Sequence, residues 1–437
     1  MSLTQSIIRG AVTTGDRGAY MHPEEWRKSK YEEMPVGNAP LLSFAQRMST
    51  LPTPSKIFHW TAQAFCKQRG SVTDVYTDMG ITAYTSGGVL GTPLYLKMAA
   101  ADAEQIVPND ILVVADTAHN LRRLLAQTVT VAGANSFVGC KLLETDTSNR
   151  LAQATLTWRI GSNAQPEMSN LPLALYEEPQ WFENYTQIMM ESVELGGREI
   201  KELDRLSDIE ARSLTRALMR LRYKMNKTFL YGSIKSKTMK GSNNKLMTTT
   251  DSIYKAIQDN ESANIFNYST NATYSGQTWL QSGWDFIKMV LEQISRYSDG
   301  GEMDNSVTML LGGLAWQSIN DLIEDFGAYQ ITDATNKFGV KVKRLQGLFM
   351  DVDMIVDPTF REDPEFQRSA FIYPPHLIEY VPMTGRDIQY VPAAEIEENG
   401  WTWVDGRKSG WYVDCGIQYA GLNRMAWLND IGVDSTV

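Results

Sequence analysis

REIKELDRLSDIEARSLTRALMRLRYKMNKTFLY, residues 198–231, runs for 34 residues without a proline or a glycine. Apolar side chains fall at Ile200, Leu203, Leu206, Ile209, Leu214, Ala217, Leu218, Leu221, Met225 and Phe229. Spacings of three, four and five keep these on one side of a helix. The stretch therefore predicts one uninterrupted helix, roughly 50 Å long at 1.5 Å per residue. A globular helix averages about 11–12 residues, so this one reads as a mechanical spine. Gly232 follows it, as a helix stop often does.

Charge is sorted along the spine. Glu199, Glu202, Asp204, Asp208 and Glu210 come first; Arg212, Arg216, Arg220, Arg222, Lys224 and Lys227 come after. Both halves suit the helix dipole, and Asp208 with Arg212 makes an i,i+4 pair. Arg212, Arg216, Arg220 and Lys224 form a basic i,i+4 row that repels itself. Such a row needs solvent, acidic partners such as those of a neighbouring subunit, or nucleic acid. These four are the candidate inter-subunit or DNA-facing residues.

Outward from the spine, the chain alternates strand-like and helical runs. Residues 1 to about 55 are rich in Gly, Pro, Ser and charge and read as an extended arm. The glycines of 68–95 suggest a hairpin or long loop. ILVVAD, QTVTVAG, FVGCKLLETD and ATLTWRI, between about 95 and 160, read as strands of a small β-rich insert. Residues 163–192 read as loop and then extended or short helical chain, stopped by Gly196-Gly197. Beyond the spine come a polar loop (233–251), a helix (278–299), a buried strand (306–313), a helix (315–326) and a strand–turn–strand (337–358). That order implies an α+β fold. Residues 370–437 are β-patterned and dense in Tyr and Trp, which suits a packed β layer.

Composition narrows the functions available. The 437 residues carry a formal net charge of −10, which disfavours whole-chain attraction to nucleic acid. No apolar run approaches the ~20 residues of a membrane span, and the N-terminus lacks the apolar core of a signal peptide. Cys66, Cys140 and Cys415 are few and far apart, as reduced thiols would be. The N-x-S/T matches at Asn184, Asn226, Asn267 and Asn271 read as chance. His22, His59, His119 and His376 make no zinc pattern, and there is no C-x-x-C, G-x-S-x-G, phosphate loop or dinucleotide fingerprint. Asp351 and Asp353 share one face of a predicted strand; a solvated face suits them better than a cation site. No catalytic residue, cofactor or metal is expected.

The order of parts resembles the major capsid protein of tailed bacteriophages, with the Hong Kong 97-type fold. The resemblance spans roughly 56–437. It is carried by NYTQIMMESVELGG (184–197) leading into the spine, by VPNDILVVAD with QTVTVAG, and by two closing stretches. These are DPTFREDPEFQRSAFIYPPHLIEYVPMTGRD (357–387) and VDGRKSGWYVDCGIQYAGLNRMAWLNDI (404–431), with Gly416, Ile417, Asn423 and Ala426 at the family's closing turn. The resemblance implies an N-terminal arm at 1–60, an extended loop at 61–95 and 155–192, and the β-rich insert at 96–154. It implies a spine helix and peripheral domain at 193–260, an axial domain at 261–345, and a peripheral β segment with the C-terminus at 346–437. The implied protein is structural and not an enzyme. Many copies, as pentamers and hexamers, would assemble in the host cytoplasm into an icosahedral virion shell around double-stranded DNA. A portal and separate scaffold or decoration proteins would be partners, with weak, non-specific DNA contact and no membrane. An encapsulin-like nanocompartment shell, another virion protein, or a ligand-binding enzyme using the aromatic C-terminal region are the alternatives.

Overall fold

The computed structural model describes residues 50–63, 69–152, 155–172, 174–176, 178–201, 209–297, 306–326, 331–337, 340–346, 350–398 and 402–434. The expected arm is thus described only from Thr50 onward. The chain divides into two compact units, Thr61–Trp181 and Met1–Trp60 with Phe182–Val437. The first unit is almost all strand and the longer helices lie in the second, an α+β composition as expected.

After β1 (Ile57–Ala62), the first unit holds seven strands. They are β2 (Arg69–Val72), β3 (Asp74–Tyr76), β4 (Pro93–Met98), β5 (Asp110–Ala115), β6 (Leu121–Thr130), β7 (Ser136–Leu142) and β8 (Leu156–Asn163); one helical turn, α1 (Ala100–Ala103), follows β4. They pair antiparallel in the order β2–β8–β5–β6–β7–β4–β3. Period-2 alternation puts Leu94, Leu96, Leu112, Val114, Leu124 and Trp158 into one core. Each such side chain contributes about 1.5–3 kcal/mol on burial. The sheet is larger than the expected insert at 96–154. Its outer strands come from 69–98 and 156–163, which were expected in the extended loop. Gly70 explains the difference. It is not a turn residue but a close approach within β2, where a Cβ would stand 2.6 Å from the Trp158 indole nitrogen.

The second unit begins with β9 (Gln180–Tyr185), which pairs with β1, and β10 (Gln187–Gly196). Its helices are α2 (Gly197–Lys201), α3 (Ile209–Lys227), α4 (Ile253–Asn260), α5 (Trp279–Ser295), α6 (Gly313–Phe326) and α7 (Pro358–Glu362). Its remaining strands are β11 (Ile265–Asn267), β12 (Ser306–Leu311), β13 (Ile331–Lys337), β14 (Val340–Gln346) and β15 (Asp351–Val356). They continue with β16 (Ala370–Tyr373), β17 (Ile378–Pro382), β18 (Gln389–Glu398), β19 (Thr402–Tyr419) and β20 (Ala426–Asn429).

Within the span 198–231, expected as one uninterrupted helix, the structure describes α2 and α3. The stretch between them, 202–208, lies outside the described residues. Ala217, Leu221, Met225 and Phe229 are buried at i,i+4 spacing, as the stripe predicts. The last turn, Thr228–Gly232, widens to a π-helix. Gly232 closes it because a Cβ there would lie 2.9 Å from the Lys227 carbonyl oxygen. Against this helix lies a sheet centred on β19, which pairs antiparallel with β10, β17 and β18. Residues 50–53 add to the β17 edge, with Leu51 N–H donating to the Tyr380 oxygen (2.9 Å) and Thr53 N–H to the Pro382 oxygen (3.0 Å).

The other sheet runs β11–β20–β16–β12–β15–β14–β13. It draws strands from both spans expected as separate axial (261–345) and peripheral (346–437) parts, since β12 pairs with β15 and β16. Its two faces are both covered. Val307, Met309 and Leu311 pack with α5 and α6. Leu310, Ile355 and Phe371 pack into the core that also holds Leu221, Met225 and Phe229 of the spine. Two-sided burial is why SVTMLLGG is a continuous apolar run. α5 starts with a capping box between Thr278 and Gln281.

Candidate assembly surface

The C-terminal end of the basic row is anchored to β10. Arg220 and Lys224 both reach Glu191 of β10 in the same chain, Arg220 Nε at 3.6 Å from its carboxylate. One turn on, Lys227 pairs with Asp363 at 2.6 Å, and the Tyr231 hydroxyl donates to the same carboxylate. Burial pushes the Asp363 carboxyl up, but Lys227 and Tyr231 outweigh it and hold it below the usual range. The row's self-repulsion is thus relieved within the subunit at its C-terminal end. Arg216 is exposed and Arg212 half-buried on the preceding turns. The Trp411 indole donates to the Leu214 carbonyl oxygen (3.0 Å), which fastens the same stretch of helix to β19.

Three buried polar hubs lock neighbouring elements, two within the second unit and one within the first. Asn226, on the spine, donates to the Asp357 carboxylate (3.2 Å) and to the Thr359 hydroxyl (2.7 Å). Asp357 caps α7, accepting from Thr359 N–H at 2.8 Å, with Pro358 in the first turn. Full burial pushes the Asp357 carboxyl up, and these hydrogen bonds only partly offset that. Asn184 donates to the Ile417 carbonyl oxygen (2.7 Å) and accepts from the N–H groups of Tyr185 and Asp251 (2.8 Å each). It thereby joins β9, the segment before α4, and β19. In the first unit, Asp146 accepts from Arg122 Nε (2.9 Å), the Tyr84 hydroxyl (3.2 Å) and the N–H groups of Arg150 and Leu151. Burial raises its pKa, but the four donors prevail and the carboxyl sits low.

Sequence reasoning missed these hubs. Asn184 and Asn226 were visible only as N-x-S/T matches; both are fully buried with engaged amides. For Asp357 the signal existed, since Asp-Pro-Thr is a helix-start signature. Asp353 departs from the solvated face expected of it. It is buried and bonds Arg344 on β14 through both oxygens (2.8 and 3.3 Å). Asp351 is half-buried on the same strand.

The aromatic C-terminal region packs as a layer. Tyr380, Tyr419 and Trp427 are buried, and Trp427 contacts Tyr254, Phe360, Phe366 and Phe371. Trp401 lies outside the described residues. Cys140 and Cys415 are buried thiols, and burial pushes Cys140 up to about 12. Cys66 lies outside the described residues. No group of three His, Cys, Asp or Glu that could hold a metal occurs among the described residues. No described helix is long and apolar enough to cross a membrane.

What this geometry offers is a wall: a helix clamped to a sheet by ion pairs and buried amides, with charge on its outer side. The sequence profile of the SU10 major capsid protein matches residues 33–417, so the chain belongs to that family of major capsid proteins. It is a structural protein of the phage head shell, where it serves in many copies. No curated protein matches the chain. Among solved structures it is similar to a chain of Microbacterium phage Oxtober96, at 7% identity over 96% of this chain and 99% of that one, with a TM-score of 0.47. It is similar to the capsid of an empty GTA particle at 7% identity, 97% and 99% coverage and a TM-score of 0.46. The holo-SrpI encapsulin complex from Synechococcus elongatus matches at 8% identity, 60% and 79% coverage and a TM-score of 0.39. The family assignment rests on the matched sequence profile alone.

Proposed function

We propose that this chain closes an icosahedral shell of pentamers and hexamers around packaged double-stranded DNA. The family match over 33–417 is the observation that carries this. The spine with the β19-centred sheet would form the peripheral domain, and α5 and α6 with their sheet the axial part around capsomer axes. A closed shell requires one surface to meet several neighbours, and extended segments bury area between subunits without enlarging each core. Arg212, Arg216, Arg220 and Lys224 together are the row proposed to meet acidic groups of a neighbour or the packaged DNA. Contact with DNA would be weak and non-specific, given the net charge of −10. A portal and separate scaffold or decoration proteins would complete the head, and assembly would take place in the host cytoplasm.

Electron microscopy and light scattering of the purified chain, alone and co-expressed with the other head proteins, test this. Closed shells or rings of five and six subunits are expected, with nuclease-protected DNA in particles from the native source. A chain that stays monomeric in every combination overturns the proposal. Shells that hold protein cargo instead of DNA would favour a nanocompartment.

A further inference from the structure

Two exposed segments remain that none of the three cores explains. The first is the hairpin 233–249, SIKSKTMKGSNNKLMTT. It is well formed. Met247 N–H donates to the Met239 oxygen and Gly241 N–H to the Lys245 oxygen, both at 2.9 Å, and Asn244 takes the left-handed turn position at φ 59°. Yet it displays Ile234, Met239, Leu246 and Met247 to solvent at 61, 53, 67 and 40% exposure. Met239 and Met247 lie opposite each other and share one face. The hairpin carries Lys235, Lys237, Lys240 and Lys245 and no acid, a formal charge of +4. Lys237 lies over the Tyr185 ring. Lys240 and Lys245 enter no ion pair among the described residues.

The second is the strap 164–178, AQPEMSNLPLALYEE, in the other unit. Every described residue in it is exposed and none lies in a helix or strand. Met168, Leu171 and Tyr176 are 103, 95 and 84% exposed. Met168 has φ 60° in a turn closed by Ser169 N–H to the Pro166 oxygen (3.2 Å). A left-handed methionine costs more than a glycine there, and the turn displays its side chain outward. The strap carries Glu167, Glu177 and Glu178 and no base, a formal charge of −3.

We propose that the hairpin 233–249 of one subunit receives the strap 164–178 of a second copy of this chain. The two match in kind: each pairs exposed large apolar side chains with charge of a single sign, and the signs are opposite. Apolar groups at the centre supply burial, while the charges steer approach and set register. Because donor and acceptor surfaces differ, the contact is head-to-tail and propagates into a ring when the rotation closes. This inference rests on the shell reading above and names one of the contacts by which copies would join.

Zero-length carbodiimide coupling tests it directly. Shells are assembled from a mixture of 15N-labelled and unlabelled full-length chains, coupled, digested and read by mass spectrometry. The expected result is amide links from Glu167, Glu177 or Glu178 to Lys240 or Lys245 that join one labelled and one unlabelled peptide. Links confined to same-isotope peptides, or none, overturn the proposal. So does coupling that appears only after nuclease treatment and never joins two copies, which would assign the hairpin to DNA. In parallel, Lys240→Glu with Lys245→Glu is expected to cut the assembled fraction at least tenfold without changing the monomer's unfolding curve. Adding Glu167→Lys and Glu178→Lys should restore it to within threefold of wild type. Reversals that merely add their defects overturn the pairing. Wild-type chains that never form shells sink the shell reading itself; wild-type shells without mixed links sink only this interface.

Discussion

Two basic regions follow one another in this chain and are used in opposite ways. The C-terminal half of the spine meets acids of its own subunit: Arg220 and Lys224 share Glu191, and Lys227 holds Asp363. The hairpin that begins six residues after Lys227 contains four lysines and no acid, and it keeps its apolar side chains in water. Similar local charge therefore serves internal register in one case and an open surface in the other. The difference comes from what β10 and the 357–363 segment bring to the helix from far along the sequence.

That contrast predicts where substitutions act. The largest effect on folding should come from the helix side. Asn226→Leu removes the amide that bonds buried Asp357 and Thr359 and should cost about 2–3 kcal/mol in a urea unfolding curve. An unchanged midpoint would mean that the hub holds nothing together.

Acid should act next. Asp146 has its carboxyl held below its ordinary 3.8 in the fold. Its contribution is present above the unfolded-state value and is lost as pH falls through the folded one. Wild-type stability should thus drop more steeply below about pH 4 than that of Asp146→Asn, measured by denaturant titration across a pH series. Parallel curves would remove Asp146 from the acid response.

Glu191→Gln sharpens the comparison itself. The Arg220 and Lys224 side chains are 57 and 60% exposed, so solvent screening leaves only about 0.5–1 kcal/mol of stability to lose. The change also frees both cations. If the open hairpin differs from the helix row only in lacking an acid, this variant should bind an anionic resin more tightly than wild type. The smallest effect belongs to the Lys408–Glu194 pair, whose two side chains are more than half exposed. Lys408→Met should shift stability by less than about 0.5 kcal/mol.

Much of the fold was legible in the residues. The i,i+4 stripe of Ala217, Leu221, Met225 and Phe229 lies buried as its spacing predicts. β12 is a buried strand and α5 starts at the capping box of Thr278 and Gln281. The first unit's extent was not legible, because Gly70 and the short strands around it look like loop until Trp158 is placed against them. β13 had no separate signal, since ITDATNK alternates too weakly to stand out.

Of the four candidate surface residues, charge patterning found the row. It did not find that Glu191 neutralises its end. Periodicity and composition, which are properties of neighbouring residues, determined the buried stripe of the spine and the strand-like and helical runs around it. Which charges are spent and which stay open depends on long-range pairing: Lys224 with Glu191, Asn226 with Asp357, Asn184 with Ile417. Those partners lie 33, 131 and 233 positions apart. Only a chain folded back on itself brings them within hydrogen-bond reach, because the energy of such a pair depends on distance in space and not on distance along the sequence.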